Sequence, residues 1–270
     1  MTAQEKLNNR LKENLHICVG LDSDLTKIPE HLLNNINPVL EFNKIIIDST
    51  YDSAAAYKIN LAFYESMGTK GIETMLETVE YIPYDTLIIG DAKRGDIGNT
   101  SQMYAKSIFE EFKFDAVTLH PYMGSDSLIP FFEYKDKINF VLALTSNQGA
   151  MDFEKLKLED GSYLFQKVLG KIKEWNTNKN LGAVFGATNS KELDDNIHLL
   201  KGLYSLLPGI GAQGGSLTDV VNAFKKAHLN KFIINASRAI IYADSTVNFG
   251  DAAAKILKEY NESIKALINN

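Results

Sequence analysis

A single cysteine, Cys18, stands among 270 residues. No internal disulfide can form, and such sparing use fits a reducing, cytoplasmic setting. Cys18 lies inside an apolar run, which predicts a buried, inert thiol rather than a nucleophile. No apolar stretch approaches the roughly 20 residues that a membrane-spanning helix needs. Residues 1–14 are polar and helix-prone and lack the apolar core of a signal peptide. The net charge of -6 disfavours nucleic acid or an anionic membrane as a partner, and leaves room for a small local anion site. The histidines (His16, His31, His120, His198 and His228) show no metal-ligand spacing, so no metal and no other cofactor is expected. His16 and His120 fall in predicted strands and read as core or rim residues. Prolines are few and scattered, and no low-complexity linker divides the chain, which predicts one domain over 1–270.

Within those limits the chain is regular. Strand-like apolar segments fall at 16–22, 55–60, 87–93, 116–121, 139–146, 181–187, 205–210 and 231–236. Between them lie segments of helical period, at 39–51, 69–81, 99–112, 190–200, 218–227 and 250–268. Alternation repeated in this way predicts an α/β protein, a single (β/α)8 TIM barrel rather than a doubly wound open sheet. The longest departure is a polar loop at 148–161, read as a solvated connection or a lid. Its charge-mixed part, 154–160, is expected to face solvent.

Charge is concentrated where the third strand ends, in Gly90-Asp91-Ala92-Lys93-Arg94-Gly95-Asp96-Ile97-Gly98-Asn99-Thr100. Strand alternation sends Asp91 and Lys93 to one face and Ala92 to the other. Charges beside an apolar run are costly unless paired. One reading is a structural ion pair, with Asp96, Asn99 or Thr100 capping the next helix. The other is a catalytic charge set. Other predicted strands also end in polar groups: Asp22, Lys58 and Asn60, Ser146 and Asn147, and Ser237 and Arg238. A barrel gathers all these ends on one rim, where active sites lie. The loop Pro208-Gly209-Ile210-Gly211-Ala212-Gln213-Gly214-Gly215 and Arg238 follow strands seven and eight, the usual phosphate position in such barrels. Glycine backbone, the Gln213 amide and the Arg238 fork are donors suited to that anion.

The run D-A-K-R-G-D-I-G-N-T resembles the signature of the orotidine 5'-phosphate decarboxylase family. Further matches run along almost the whole chain, at Val19 to Asp22, Lys58 to Asn60, Pro121 to Gly124, Thr145 to Asn147, Gly186 to Thr188, Pro208 to Gly215, and Ser237-Arg238. Two positions depart from the family pattern: His120, where Asn often precedes Pro-Tyr-Met-Gly, and Ser237, where Gly often precedes the Arg. The resemblance implies a cofactor-free homodimer of barrels that turns orotidine 5'-monophosphate into uridine 5'-monophosphate (UMP) and CO2. It implies a charge network of Lys58, Asp91, Lys93 and Asp96, in which Lys93 stabilises the carbanion-like C6 and donates the proton. Asp96 and Thr100 would reach into the partner subunit's site. Ser146 would meet the pyrimidine, Asp22, Lys58 and Asn60 the ribose, and Gln213, Gly214, Ser237 and Arg238 the phosphate side. Two rival readings remain at this point. One is a metal-dependent phosphosugar barrel that shares D-x-K-x-x-D. The other is a catalytically silent nucleotide-binding barrel, which the retained Asp91, Lys93 and Asp96 disfavour.

Overall fold

The computed structural model of the protein describes residues 1–186, 190–209 and 215–269. Eight strands, β1 (Ile17–Gly20), β2 (Ala56–Asn60), β3 (Leu87–Arg94), β4 (Ala116–Leu119), β5 (Ile138–Leu144), β6 (Leu181–Phe185), β7 (Tyr204–Leu207) and β8 (Phe232–Ala236), pair in chain order. All pairs are parallel, and β8 returns to β1, so the sheet is a closed barrel and not an open one. The helices are α1 (Ala3–Lys12), α2 (Pro38–Thr50), α3 (Leu61–Glu65), α4 (Gly68–Tyr81), α5 (Gly98–Lys106), α6 (Ile129–Phe132), α7 (Leu164–Trp175), α8 (Ser190–Asn196), α9 (Leu217–Lys226), α10 (Arg238–Ile241) and α11 (Phe249–Asn269). Neither α3 nor α10 was legible as a helix, since such short elements carry no period. α3 starts where Asn60 accepts the backbone N–H of Ala62 at 3.2 Å, a side-chain cap.

Both faces of the sheet are covered, which is why the strands read as nearly unbroken apolar runs. One core lies between sheet and helices and includes Phe42, Tyr57, Phe114, Phe165, Phe224 and Leu257. A second fills the barrel with Cys18, Ala56, Ile89, Phe140, Val184, Leu206 and Ile233. The two sets alternate along each strand, so the next inward residue toward the C-terminal end is set by the pleat. After Ala56 comes Lys58, after Ile89 comes Asp91, after Ala116 comes Thr118, and after Ile233 comes Asn235. An apolar floor therefore carries a polar layer above it.

The opposite, N-terminal end is built for stability. Lys6 of α1 pairs with Asp115 at 2.8 Å, both buried, and Asp115 also accepts the Ile88 backbone N–H at 3.1 Å. His16 stacks on Phe232 with ring centroids 4.1 Å apart, and its Nδ1 lies 2.8 Å from the Phe232 carbonyl oxygen. That carbonyl fixes Nδ1 as the protonated nitrogen of a neutral ring. Burial pushes the imidazole down to about 4, against the lesser pull of the carbonyl. Among the described residues no helix is long and apolar enough to cross a membrane.

Because the folded imidazole titrates below the unfolded one, the unfolded chain binds the extra proton between about pH 6.5 and 4. Stability held above pH 6.5 is therefore lost as the pH falls toward 4, by an amount on the order of 3 kcal/mol. His16→Gln keeps a donor and cannot titrate. Denaturant unfolding of the two proteins from pH 7 to 4 should show a shallower loss of stability in the variant, and parallel profiles would remove His16 from this role.

Candidate active site

At the C-terminal mouth, acids and amines alternate. Lys58 Nζ donates to Asp22 Oδ1 at 3.3 Å and to Asp91 Oδ2 at 3.1 Å. Lys93 Nζ donates to Asp91 Oδ1 at 2.7 Å. The order is Asp22, Lys58, Asp91, Lys93, each contacting the next. Burial alone would raise the Asp91 carboxyl, but Lys58, Lys93 and the Thr118 hydroxyl hold it well below the usual carboxylate range. Burial likewise opposes the Lys58 ammonium, and Asp91 and Asp22 outweigh it, so Lys58 is held above the usual lysine range. The Lys58 side chain is 5% exposed and that of Lys93 is 52% exposed, so Lys93 is the more open of the two ammonium groups.

Simple strand alternation does not explain how Asp91 and Lys93 meet. β3 and β4 are in step at Gly90 with Val117 and again at Arg94 with Leu119, so β3 bulges between those points. Lys93 sits in the bulge with φ at 47°, the left-handed region that a non-glycine residue seldom occupies. Ala92 is buried on the outer side, as alternation predicts. Arg94 braces the far side, with bonds to the Ala92 carbonyl (3.0 Å) and Glu65 (2.6 Å) and a seat over the Tyr104 ring.

Helix capping does not account for the acids that follow. α5 begins after Ile97 with no side-chain cap, and Asp96 Oδ1 accepts the neighbouring Ile97 N–H at 2.8 Å. Among the described residues Asp96 forms no ion pair with Lys93, and Thr100 is exposed on α5. Glycine is required at position 95, because a Cβ there would lie 2.8 Å from His120 Nε2 and 2.9 Å from the His120 carbonyl oxygen. His120 thus packs against the charged loop from the next strand.

A cavity of about 260 Å³ opens beside the charge chain. Lys58, Asp91, Lys93 and Thr118 form one side, and Leu142, Val184, Leu206 and Pro208 an apolar wall. Ser146 lines it with its neighbours Thr145 and Asn147. Asn60 stands at the end of β2 with its Oδ1 committed to the α3 cap. Ser237 Oγ donates to the Gly20 carbonyl at 3.0 Å, and a Cβ on Gly20 would come within 2.8 Å of Ser237 Cβ, so β1 and β8 close tightly there. Arg238 opens α10 with an exposed side chain. Gln213 and Gly214 lie outside the described residues.

Sequence reasoning missed Thr118, Asn235 and Glu154. The first two could have been found by continuing the inward alternation of β4 and β8 by one step. Asn235 lines the cavity, and its buried Oδ1 has no hydrogen-bond partner among the described residues. Glu154 had no local signal and was expected in solvent. Instead the Thr145 N–H donates to Glu154 Oε2 at 2.7 Å, and the Thr145 hydroxyl lies 2.9 Å from Oε1. Lys155 pairs with Glu192 at 2.9 Å. The loop is an anchored element, with a helical turn at Gln148–Met151 and an antiparallel bridge between Lys157 and Tyr163.

A sheltered, charged mouth on the C-terminal face is where enzymes of the (β/α)8-barrel class act. The sequence profile of the "Orotidine 5'-phosphate decarboxylase / HUMPS family" matches residues 15–253. An orotidine 5'-phosphate decarboxylase of Porphyromonas gingivalis is 48% identical over 257 residues, covering 94% of this chain and 93% of that protein. One from Flavobacterium johnsoniae is 43% identical over 273 residues, covering 100% of this chain and 99% of that protein. The solved Leishmania donovani OMP decarboxylase is 35% identical with a TM-score of 0.85, covering 100% of both chains. The chain belongs to the orotidine 5'-phosphate decarboxylase / HUMPS family.

Glu154 is the tie that holds the loop to the end of β5. Glu154→Ala should lower unfolding stability by about 1–2 kcal/mol and speed limited proteolysis within 148–161. Glu154→Gln, which keeps an acceptor, should fall between. Unchanged cleavage rates in the alanine variant would show that the loop is held by other contacts.

Proposed function

We propose that this chain is a carbon–carbon lyase converting orotidine 5'-monophosphate to UMP and CO2, the last step of de novo pyrimidine nucleotide synthesis, without a cofactor and in the cytoplasm. The observation that carries this reading is the chain Asp22, Lys58, Asp91, Lys93 set against an apolar wall at the barrel mouth. Family membership and decarboxylases among the relatives support the substrate.

The chemistry is demanding because losing CO2 leaves an electron pair on C6 of the pyrimidine with no neighbouring group to delocalise it. A positive charge fixed beforehand stabilises that pair without solvent reorganisation. Lys93 supplies it, held by Asp91 at 2.7 Å. The bond from C6 to the carboxylate breaks, CO2 leaves, and the pair on C6 takes a proton from Lys93 Nζ. Solvent then reprotonates the amine. Each 1.4 kcal/mol of stabilisation in the transition state is about a tenfold gain in rate. Asp91 and the partner's copy of Asp96 hold Lys93 and stand near the departing carboxylate.

Binding falls to the rim. Ser146 contacts the pyrimidine, and Asp22 and Lys58 the ribose, joined by the NH2 of Asn60, whose Oδ1 is already committed. Gln213, Gly214, Ser237 and Arg238 take the phosphate side, Arg238 through its forked donors. Binding energy gathered there, far from C6, serves catalysis when it helps exclude water from the reacting centre. Asp96 and Thr100 act across a homodimer. The exposed apolar side chains Ile97 and Met103, which flank Asp96 and Thr100 in sequence, support a partner on that side.

Purified protein should decarboxylate orotidine 5'-monophosphate, followed by absorbance, with chelator present at no cost in rate. Lys93→Ala should abolish turnover and still bind UMP. A chelator-sensitive reaction would favour the metal-dependent phosphosugar branch, and near-normal turnover by the variant would exclude Lys93 as proton donor. Mixing Asp96→Ala with Lys93→Ala protein should recover activity in mixed dimers, and silence in confirmed mixed dimers would count against shared sites.

A further inference from the structure

We infer that Thr118 is a positioning residue for Lys93, acting through its hydroxyl on both ends of that side chain. The inference rests on the decarboxylase reading for its assay and on the geometry of the mouth for its argument.

The bulge in β3 creates the need. In regular parallel pairing the Lys93 N–H would find a carbonyl on the neighbouring strand. Because β3 is out of step with β4 between Gly90 and Arg94, that N–H needs another acceptor. Thr118 Oγ1 accepts it at 3.0 Å. The same oxygen donates its own proton to Asp91 Oδ1 at 2.8 Å. Asp91 Oδ1 in turn receives Lys93 Nζ at 2.7 Å. These bonds close a ring that starts at the backbone of Lys93 and ends at its ammonium.

Each part of the ring matters. A lysine side chain is long and flexible, and this one is 52% exposed, so packing does little to hold it. Its backbone lies in the left-handed region, which persists only where the surroundings enforce it. A hydroxyl is the group that can serve both bonds, accepting from an N–H while donating to a carboxylate. Thr118 is 2% exposed, so water does not readily substitute for it. The residue is placed by β4, a strand of the barrel wall, rather than by a loop, which suits a positioning role.

Thr118→Val keeps the shape and removes both bonds, and Thr118→Ser keeps the hydroxyl. The valine variant should lose about 10- to 100-fold in kcat, the scale on which small misplacements act, with KM and UMP affinity within about threefold of the parent. Serine should restore kcat. If the valine variant does not fold, Thr118→Cys, a poor hydrogen-bonding group in the same place, takes its part and should fall well below serine in kcat. A valine or cysteine variant with parental kcat, a loss confined to KM, or a serine variant no better than valine would each overturn the inference. Parental protein that does not decarboxylate orotidine 5'-monophosphate at all would instead sink the function on which the assay rests.

Discussion

Asp91 is a carboxylate in a place where water is scarce, and the mouth of the barrel is arranged so that it stays charged. Its side chain is 12% exposed. Left alone there it would take up a proton. Lys58 below and Lys93 above prevent this, and the ammonium of Lys58 is itself kept charged by Asp91 and Asp22. The two buried members, Asp91 and Lys58, keep their ionised forms through their neighbours. Ion pairs of this kind are weak devices for stability, because desolvation consumes most of their attraction. Their worth lies in a charge that is already oriented before a ligand arrives.

The barrel separates that task from the task of staying folded. Its interior is apolar at the level of Ala56, Ile89 and Phe140 and polar one pleat above. The N-terminal end carries its own buried groups, the Lys6–Asp115 pair and the neutral His16, which no ligand needs to reach. At the working end Lys93 has left-handed backbone and Gly95 closely approaches His120, while Asn14, Lys113, Lys179 and His228 hold the same region of φ ahead of β1, β4, β6 and β8. The position of His120 against Gly95 also gives that histidine a packing role at the rim.

Much of this is legible in the amino-acid sequence. Strand period and chain length carried the closed barrel, because eight parallel strands leave a recognisable rhythm of apolar runs. The charged run after Ile89 marked the site, because unpaired charge beside a buried strand is costly. What stayed hidden depended on partners distant in sequence. The bulge at Asp91 to Arg94 is a mismatch between two strands and cannot be seen in either one. Glu154 looked like one more solvated acid, and its use by Thr145 emerges only when the loop folds back on β5. Asn60 read as a ligand contact, yet its Oδ1 is spent on a helix start. The glycine-rich phosphate loop was plain as a motif, and its centre, including Gln213 and Gly214, lies outside the described residues.

Cys18 lies on the inner wall, one pleat beneath the polar layer, with no exposed surface, and burial lifts its thiol to about 12. A sulfur so placed is closed to alkylating dyes and to mild oxidants while the chain is folded. A cysteine introduced anywhere on the outer surface would therefore be the one reactive thiol. Fluorophores or spin labels could be attached at chosen points around the mouth without first deleting a native residue.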